Sequence, residues 1–192
     1  MKTTALLAAL ALALAAAASA QATTIALPAD GNWQEFTVDN FVAPSFGTDW
    51  IDYTDGSALH FDFTVPAGFV ATLTVVDNGF AGDTFTVRNG AMMLGATSSV
   101  ATGTIAGDTV FDFDEALANP AYSRGVFTLG AGSYSINGSL LQSVLDDGGQ
   151  PLNSTSGALK LNVSAVPEPA SIALLLAGLG VVGFLSARAR RN

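Results

Sequence analysis

Residues 21–165 predict an all-β fold, a single antiparallel β-sandwich domain of jelly-roll-like character. Three observations carry that expectation. Apolar residues recur at every second position in several short runs, the period of a half-buried strand. Gly, Pro and Asn punctuate those runs at short intervals. Helical periodicity is nearly absent, and no repeat of fixed length points to a propeller or solenoid.

In chain order, "WQEFTV" (33–38) offers an early strand with Phe36 and Val38 on one side. Leu59, Phe61, Phe63 and Val65 then alternate with His60, Asp62 and Thr64. Pro66-Ala67-Gly68 breaks the chain, and "FVATLTVVD" (69–77) resumes it as a β-rich run. "TFTVR" (84–88) sets Phe85 and Val87 against Thr84, Thr86 and Arg88. Asn89-Gly90 is a hairpin signal because both residues tolerate positive φ, so "AMMLG" (91–95) is the expected returning strand. The helix candidate in the body is "DFDEALANPAYS" (112–123), capped by Asp112 or Asp114 and ended by Pro120. Residues 126–129 form a β-rich run turned by Gly130-Ala131-Gly132, after which Tyr134 and Ile136 alternate with polar neighbours. A polar loop is expected over 146–157, followed by a last strand with Leu159, Leu161 and Val163 on one face.

The chain has no cysteine, which excludes a disulfide framework, thiol catalysis and thiolate metal sites. A body of this length is long enough to hold itself by its core. Its charge is strongly acidic. Arg88, Arg124 and Lys160 stand against fifteen carboxylates once the two ends of the chain are set aside, a balance of −12. Such a surface repels nucleic acid and anionic lipid headgroups, and it serves solubility before it serves any partner.

Catalytic motifs are missing. His60 is the sole histidine and lies on the polar face of its strand beside Asp62; no G-x-S-x-G elbow accompanies it. One His without Cys does not supply the usual zinc ligands. Carboxylates are the abundant chemistry. Asp77-Asn78-Gly79 and Gly82-Asp83 bracket a tight loop, whose Asp77 and Asp83 suit either a β-turn or a Ca²⁺ ion held by hard oxygens. "FGTDWIDYTDG" (46–56) is rich in Asp and aromatics, and its Trp50 and Tyr53 suit a sugar-binding face or, for Trp50, the core. No cofactor other than Ca²⁺ is indicated.

The two ends are targeting segments. Lys2 precedes an apolar run of Leu and Ala, and Ala18-Ser19-Ala20 supplies a cleavage site, so residues 1–20 are expected to be a signal peptide handled by the Sec translocon. Near the other end, Gly178-Leu179-Gly180-Val181-Val182-Gly183 has the letters of a dinucleotide loop. The glycines sit inside an apolar run with no acidic residue after them, against what that fold requires. Residues 170–187 carry no charge, and eighteen residues at 1.5 Å rise span about 27 Å, enough for a bilayer core. Arg188, Arg190 and Arg191 follow in the tail (188–192) and would hold it on the cytoplasmic side of the membrane.

Pro167-Glu168-Pro169, a short glycine-bearing apolar helix and a terminal arginine cluster, in that order, make residues 166–192 resemble a PEP-CTERM sorting signal. That family occurs in Gram-negative bacteria that make exopolysaccharide. The resemblance implies recognition of Pro167, Glu168 and Pro169 by a membrane-embedded exosortase, removal of the helix and delivery of the body to the cell surface or beyond. "LTVVDNGFAGDTFTV" (73–87) is also similar to a strand-loop-strand pattern of secreted β-sandwich proteins. The expected role is non-enzymatic, structural or adhesive, and associated with exopolysaccharide. The rivals are a lectin-like module, calcium-dependent through Asp77 and Asp83, and a hydrolase of matrix polysaccharide working through paired carboxylates.

Overall fold

The computed structural model describes residues 22–166 and, from the tail, 174–179, 181 and 188. The expected signal peptide, Pro167-Glu168-Pro169, Arg190, Arg191 and much of the expected span lie outside the described residues. Residues 174–179 and 181 are helical and exposed, as is Arg188. Among the described residues no helix is long and apolar enough to cross a membrane.

Ten strands build two sheets: β1 (Thr23–Ala26), β2 (Gln34–Asp39), β3 (Leu59–Val65), β4 (Phe69–Phe80), β5 (Thr84–Asn89), β6 (Met92–Ala96), β7 (Thr109–Val110), β8 (Arg124–Leu129), β9 (Gly132–Gln142) and β10 (Ser154–Ala165). A helix, α1 (Phe113–Ala118), interrupts them. Sheet one runs β1-β3-β9-β5-β6. Sheet two runs β2-β10-β4, and β7 and β8 pair with β4 at its far edge. Among the described strands, β5 and β6 alone are consecutive partners. Most other connections carry the chain from one sheet to the other, so loops gather at the ends of the sandwich.

The alternation in the sequence explains which faces are inside. Phe36 and Val38 of β2, Leu73 and Val75 of β4, and Leu159 and Leu161 of β10 meet Phe61, Phe85, Val87 and Ile136 of sheet one in a single core. β4 is buried on both faces from Leu73 to Asn78, and α1 covers its outer side: Val76 packs with Ala116, Tyr122 and Ala158, and Trp33 and Phe113 lie against them. Asp112 starts α1 by accepting the amides of Asp114 and Glu115 at 2.9 and 2.8 Å. Asp114 then receives Lys160 Nζ at 2.9 Å and Trp33 Nε1 at 3.1 Å, and the Lys160 ammonium lies 4.1 Å from the Trp33 ring centre. The helix is thereby tied to the sheet it covers.

The structure corrects four local expectations. β1 pairs in parallel with β3, from Thr23 opposite Leu59 to Ala26 opposite Asp62, so sheet one is mixed rather than wholly antiparallel. The hairpin loop is Gly90-Ala91 and not Asn89-Gly90, because Asn89 pairs with Met92. Gly90, at φ 56°, holds the first loop position, where a type II′ turn favours glycine. β4 continues through Asp77-Asn78-Gly79 to Phe80, held by β10 as far as Asn78 and by β7 beyond it. β10 likewise starts at Ser154, inside the polar stretch expected to be a loop.

One aromatic pair occupies the middle of the core. Trp50 stacks on Phe36 with ring centres 3.8 Å apart and planes 13° from parallel, and Phe85 meets both rings edge-on. Two glycines make room for the pair. A Cβ on Gly138 would stand 2.5 Å from the Trp50 ring, and one on Gly157 would stand 2.5 Å from Phe36 and 2.7 Å from the Val76 carbonyl. Gly157→Ala is therefore expected to cost about 1–3 kcal/mol, read as a fall of several degrees in the thermal unfolding midpoint. Movement of Phe36 alone would not relieve the contact with the backbone carbonyl. A midpoint equal to the parent's would refute this packing.

Candidate functional site

Two features stand apart from ordinary sandwich packing, and both lie at the end of sheet two reached by the β4–β5 loop. The first is a pair of buried carboxylates. Asp77 follows Leu73 and Val75 on the inner face of β4, opposite Gly157 in register. Asp83 closes the short loop after Gly82 and leads into β5. Both are fully buried. Asp83 Oδ1 accepts the Val144 amide at 2.7 Å, while both oxygens of Asp77 and Oδ2 of Asp83 have no hydrogen-bond partner.

The loop above them is packed backbone against backbone. Gly82 holds φ 128°, and a Cβ there would collide with the amide of Gly103. Gln142 Nε2 braces the same turn by donating to Gly82 O at 2.7 Å and to Val100 O at 3.3 Å. Among the described residues the ion pairs are Arg88–Asp49 and Lys160–Asp114, so no cationic side chain answers Asp77 or Asp83.

Burial pushes the Asp77 carboxyl up to about 9, and the neighbouring Asp83 charge adds to the rise. The amides of Gly82, Asp83 and Asn78 pull it back, although none is aligned for a hydrogen bond. Burial also lifts Asp83, to about 6, against the Thr155 hydroxyl and the Val144 amide. Burial thus makes both carboxyls hold their protons to higher pH than exposed aspartates do.

The second feature is a cleft of about 570 Å³ on the outer face of sheet two. With Phe36 and Val38 turned inward, Glu35, Thr37 and Asp39 face out from β2 and line its floor. Asn78 and Ser156 continue that floor, joined by a 2.6 Å hydrogen bond. Tyr53 and Phe111 also line the cleft, 75 % and 74 % exposed. Asp52 accepts the Thr54 amide at 2.7 Å and so fixes the turn that carries Tyr53. Among the described residues, none that lines the cleft is basic.

The residues singled out in the sequence are therefore distributed unevenly. Asp77 and Asp83 come together, as neighbours buried beneath the loop rather than as its exposed ligands. Trp50 and Tyr53 separate: Tyr53 lines the cleft, whereas Trp50 is 1 % exposed and belongs to the core. The expectation that Trp50 faces a sugar is corrected, since a ring stacked on Phe36 and buried in the core is closed to a ligand. His60 Nδ1 lies 3.3 Å from Ser135 Oγ, and no carboxylate hydrogen-bonds to the imidazole among the described residues. Nor do those residues include a cluster of three or more His, Cys, Asp or Glu able to hold a metal. Glu35 and Phe111 escaped the sequence reading, because neither carries a local signal and they meet only through the fold.

Fold and tail together define an exported all-β protein of two sheets with a sorting tail. Residues 165–191 match the PEP-CTERM protein-sorting motif, the signal recognised by an exosortase, on a protein that passes through the membrane. No curated protein matches the chain. Among solved structures, the chain is similar to the pre-peptidase C-terminal domain of a collagenase from Bacillus anthracis. The identity is 10 % over 74 % of this chain and 95 % of that one, with a TM-score of 0.37. A likeness that distant carries no argument, and the fold assignment rests on the sheets themselves.

The buried pair sets a pH dependence with a definite sign. A carboxyl raised above its unfolded value favours the fold while it keeps its proton, and that contribution fades as pH climbs toward the folded value. In metal-free buffer the unfolding midpoint is expected to fall from about pH 4, where both carboxyls ionise in the unfolded chain, to about pH 9, with Asp83 contributing up to about pH 6 and Asp77 across the whole interval. Asp77→Asn should flatten that slope. An equally steep slope in the variant would assign it to other groups.

Proposed function

We propose that this protein is a non-enzymatic component of the cell surface or extracellular matrix, structural or adhesive and associated with exopolysaccharide. The supporting observation is the PEP-CTERM match at residues 165–191. In this reading the Sec translocon takes residues 1–20 as a signal peptide. The apolar segment at 170–187, stopped by Arg188, Arg190 and Arg191, anchors the chain in the inner membrane for a time. The exosortase, reading Pro167-Glu168-Pro169, then releases the acidic sandwich. A body carrying −12 without a basic patch stays soluble once freed, which suits a product that has to leave the membrane.

The test follows the tail. Glu168→Ala should accumulate as a larger, membrane-associated species in cell fractions, while the parent appears as the shorter mature form outside. Normal maturation of that variant would sink the sorting reading. Turnover of a matrix polysaccharide by the purified body would overturn its non-enzymatic part.

A second reading, carbohydrate binding, is favoured by the cleft. A concave site with two exposed rings and a floor of carboxylates, hydroxyls and an amide has the mixed lining of a small-ligand site, and flat rings stack on sugar faces. The absence of basic groups favours neutral or amine-bearing sugars over acidic ones. Tyr53→Ala is expected to weaken glycan binding about tenfold, or ~1.4 kcal/mol, in a titration, with the unfolding midpoint unchanged. Binding untouched by both Tyr53→Ala and Phe111→Ala would remove the cleft from consideration.

A further inference from the structure

We propose that Asp77 and Asp83 hold a calcium ion that fastens the β4–β5 loop to the end of the sandwich. Geometry carries this, independently of the sorting and glycan readings. Two carboxylates are fully buried side by side, and three of their four oxygens accept nothing. A buried carboxylate without a partner is among the costliest arrangements a core can contain. Neither ion pair of the described residues involves them.

A proton is the competing occupant, and counting oxygens separates the two. An Asp77 O–H donated to Asp83 Oδ2 would engage one oxygen of each residue and leave the second Asp77 oxygen still orphaned. A cation held between the carboxylates, beside the Gly82, Asp83 and Asn78 amides, would answer the orphaned oxygens of Asp77 and Asp83 Oδ2 together. The Asp83 Oδ1 bond to the Val144 amide fixes that carboxylate's orientation and can remain in place.

The donors define which cation. They are carboxylate oxygens with the Thr155 hydroxyl close to Asp83, without sulfur or imidazole. The sole histidine lies on the outer face of sheet one beside Ser135. Hard oxygen ligands select calcium or magnesium over zinc and copper. Magnesium requires near-octahedral geometry and keeps several of its waters, whereas calcium accepts bidentate carboxylates and irregular shells in a buried site. With two carboxylates and no third acid beside them among the described residues, the remaining ligands are neutral. Affinity then falls in the weak class of extracellular modules, with Kd about 10⁻⁴–10⁻³ M. Outside the cell such a site fills from the medium.

Thermal unfolding of the mature protein tests this, in chelator and then in about 10 mM calcium or magnesium, alongside isothermal titration with calcium. Calcium should raise the midpoint by about 4–8 °C, magnesium by much less, and the titration should report one site. Asp77→Asn and Asp83→Asn should each abolish the calcium increment, whatever they do to the midpoint in chelator. Asp146→Asn, on a surface loop, should keep it. The proposal is overturned if calcium neither shifts the midpoint nor binds, or if the increment survives in both buried variants. An equal response to magnesium would overturn the choice of ion.

Discussion

The sandwich is closed by a short segment that belongs to neither sheet and pairs with both. Asp49 bridges Ser139 of β9, the Trp50 amide donates to Gly138 O at 2.9 Å, and Ile51 bridges Thr37 of β2. Trp50 therefore enters the core at the seam, held by its backbone to sheet one while its ring stacks on Phe36 of sheet two. That single placement explains the glycines at 138 and 157, since side chains there would occupy the volume of the two rings. It also explains the cleft. The chain that leaves the seam at Ile51 must turn at Asp52, and Tyr53 projects from that turn beside the outer face of β2.

A topology that changes sheet at most connections concentrates irregular backbone at the two ends of the sandwich. Asp77 is the last inward side chain of β4 before one such change, since Gly79 has none, and Asp83 stands just after it. The loop between them is short because it spans only the distance between the sheets. It is covered by the chain around Gly103 and Val144, brought there by the crossings after β6 and β9. The same cover that anchors the loop removes its two carboxylates from water, and their proton affinities rise as a consequence of topology rather than of local sequence.

How far the sequence was legible follows from the same distinction. Properties set within a few residues could be read directly. The alternation of Leu59, Phe61 and Val65 gave their face, and Asp112 announced the start of α1 three residues before a Glu. Strand partners could not be read, because pairing β1 with β3 or β4 with β8 depends on contacts far apart in sequence. Trp50 illustrates the limit well. Flanked by Asp49 and Asp52 in an aromatic-rich polar stretch, it has the composition of a binding loop, and only the seam turns it inward. Tyr53, three residues on, lies outside. The cleft was invisible for the same reason, since Glu35, Tyr53 and Phe111 share nothing but their final positions.

Among the described residues three buried side chains break the rule that interior polar atoms find partners, and they do so in two ways. The Trp50 indole nitrogen has no acceptor. It is a neutral donor on a large ring whose area and stacking offset a loss of about 1–3 kcal/mol, so packing alone accounts for it. The Asp77 and Asp83 carboxylates have no such offset. Leucine or valine at position 77 would continue the pattern of Leu73 and Val75 and fill the same face without charge. A charge retained where an apolar residue continues the local pattern marks a place where the sequence serves something besides the fold. By that measure the tryptophan belongs to the scaffold, while the acidic pair is what the proposed calcium ion would account for.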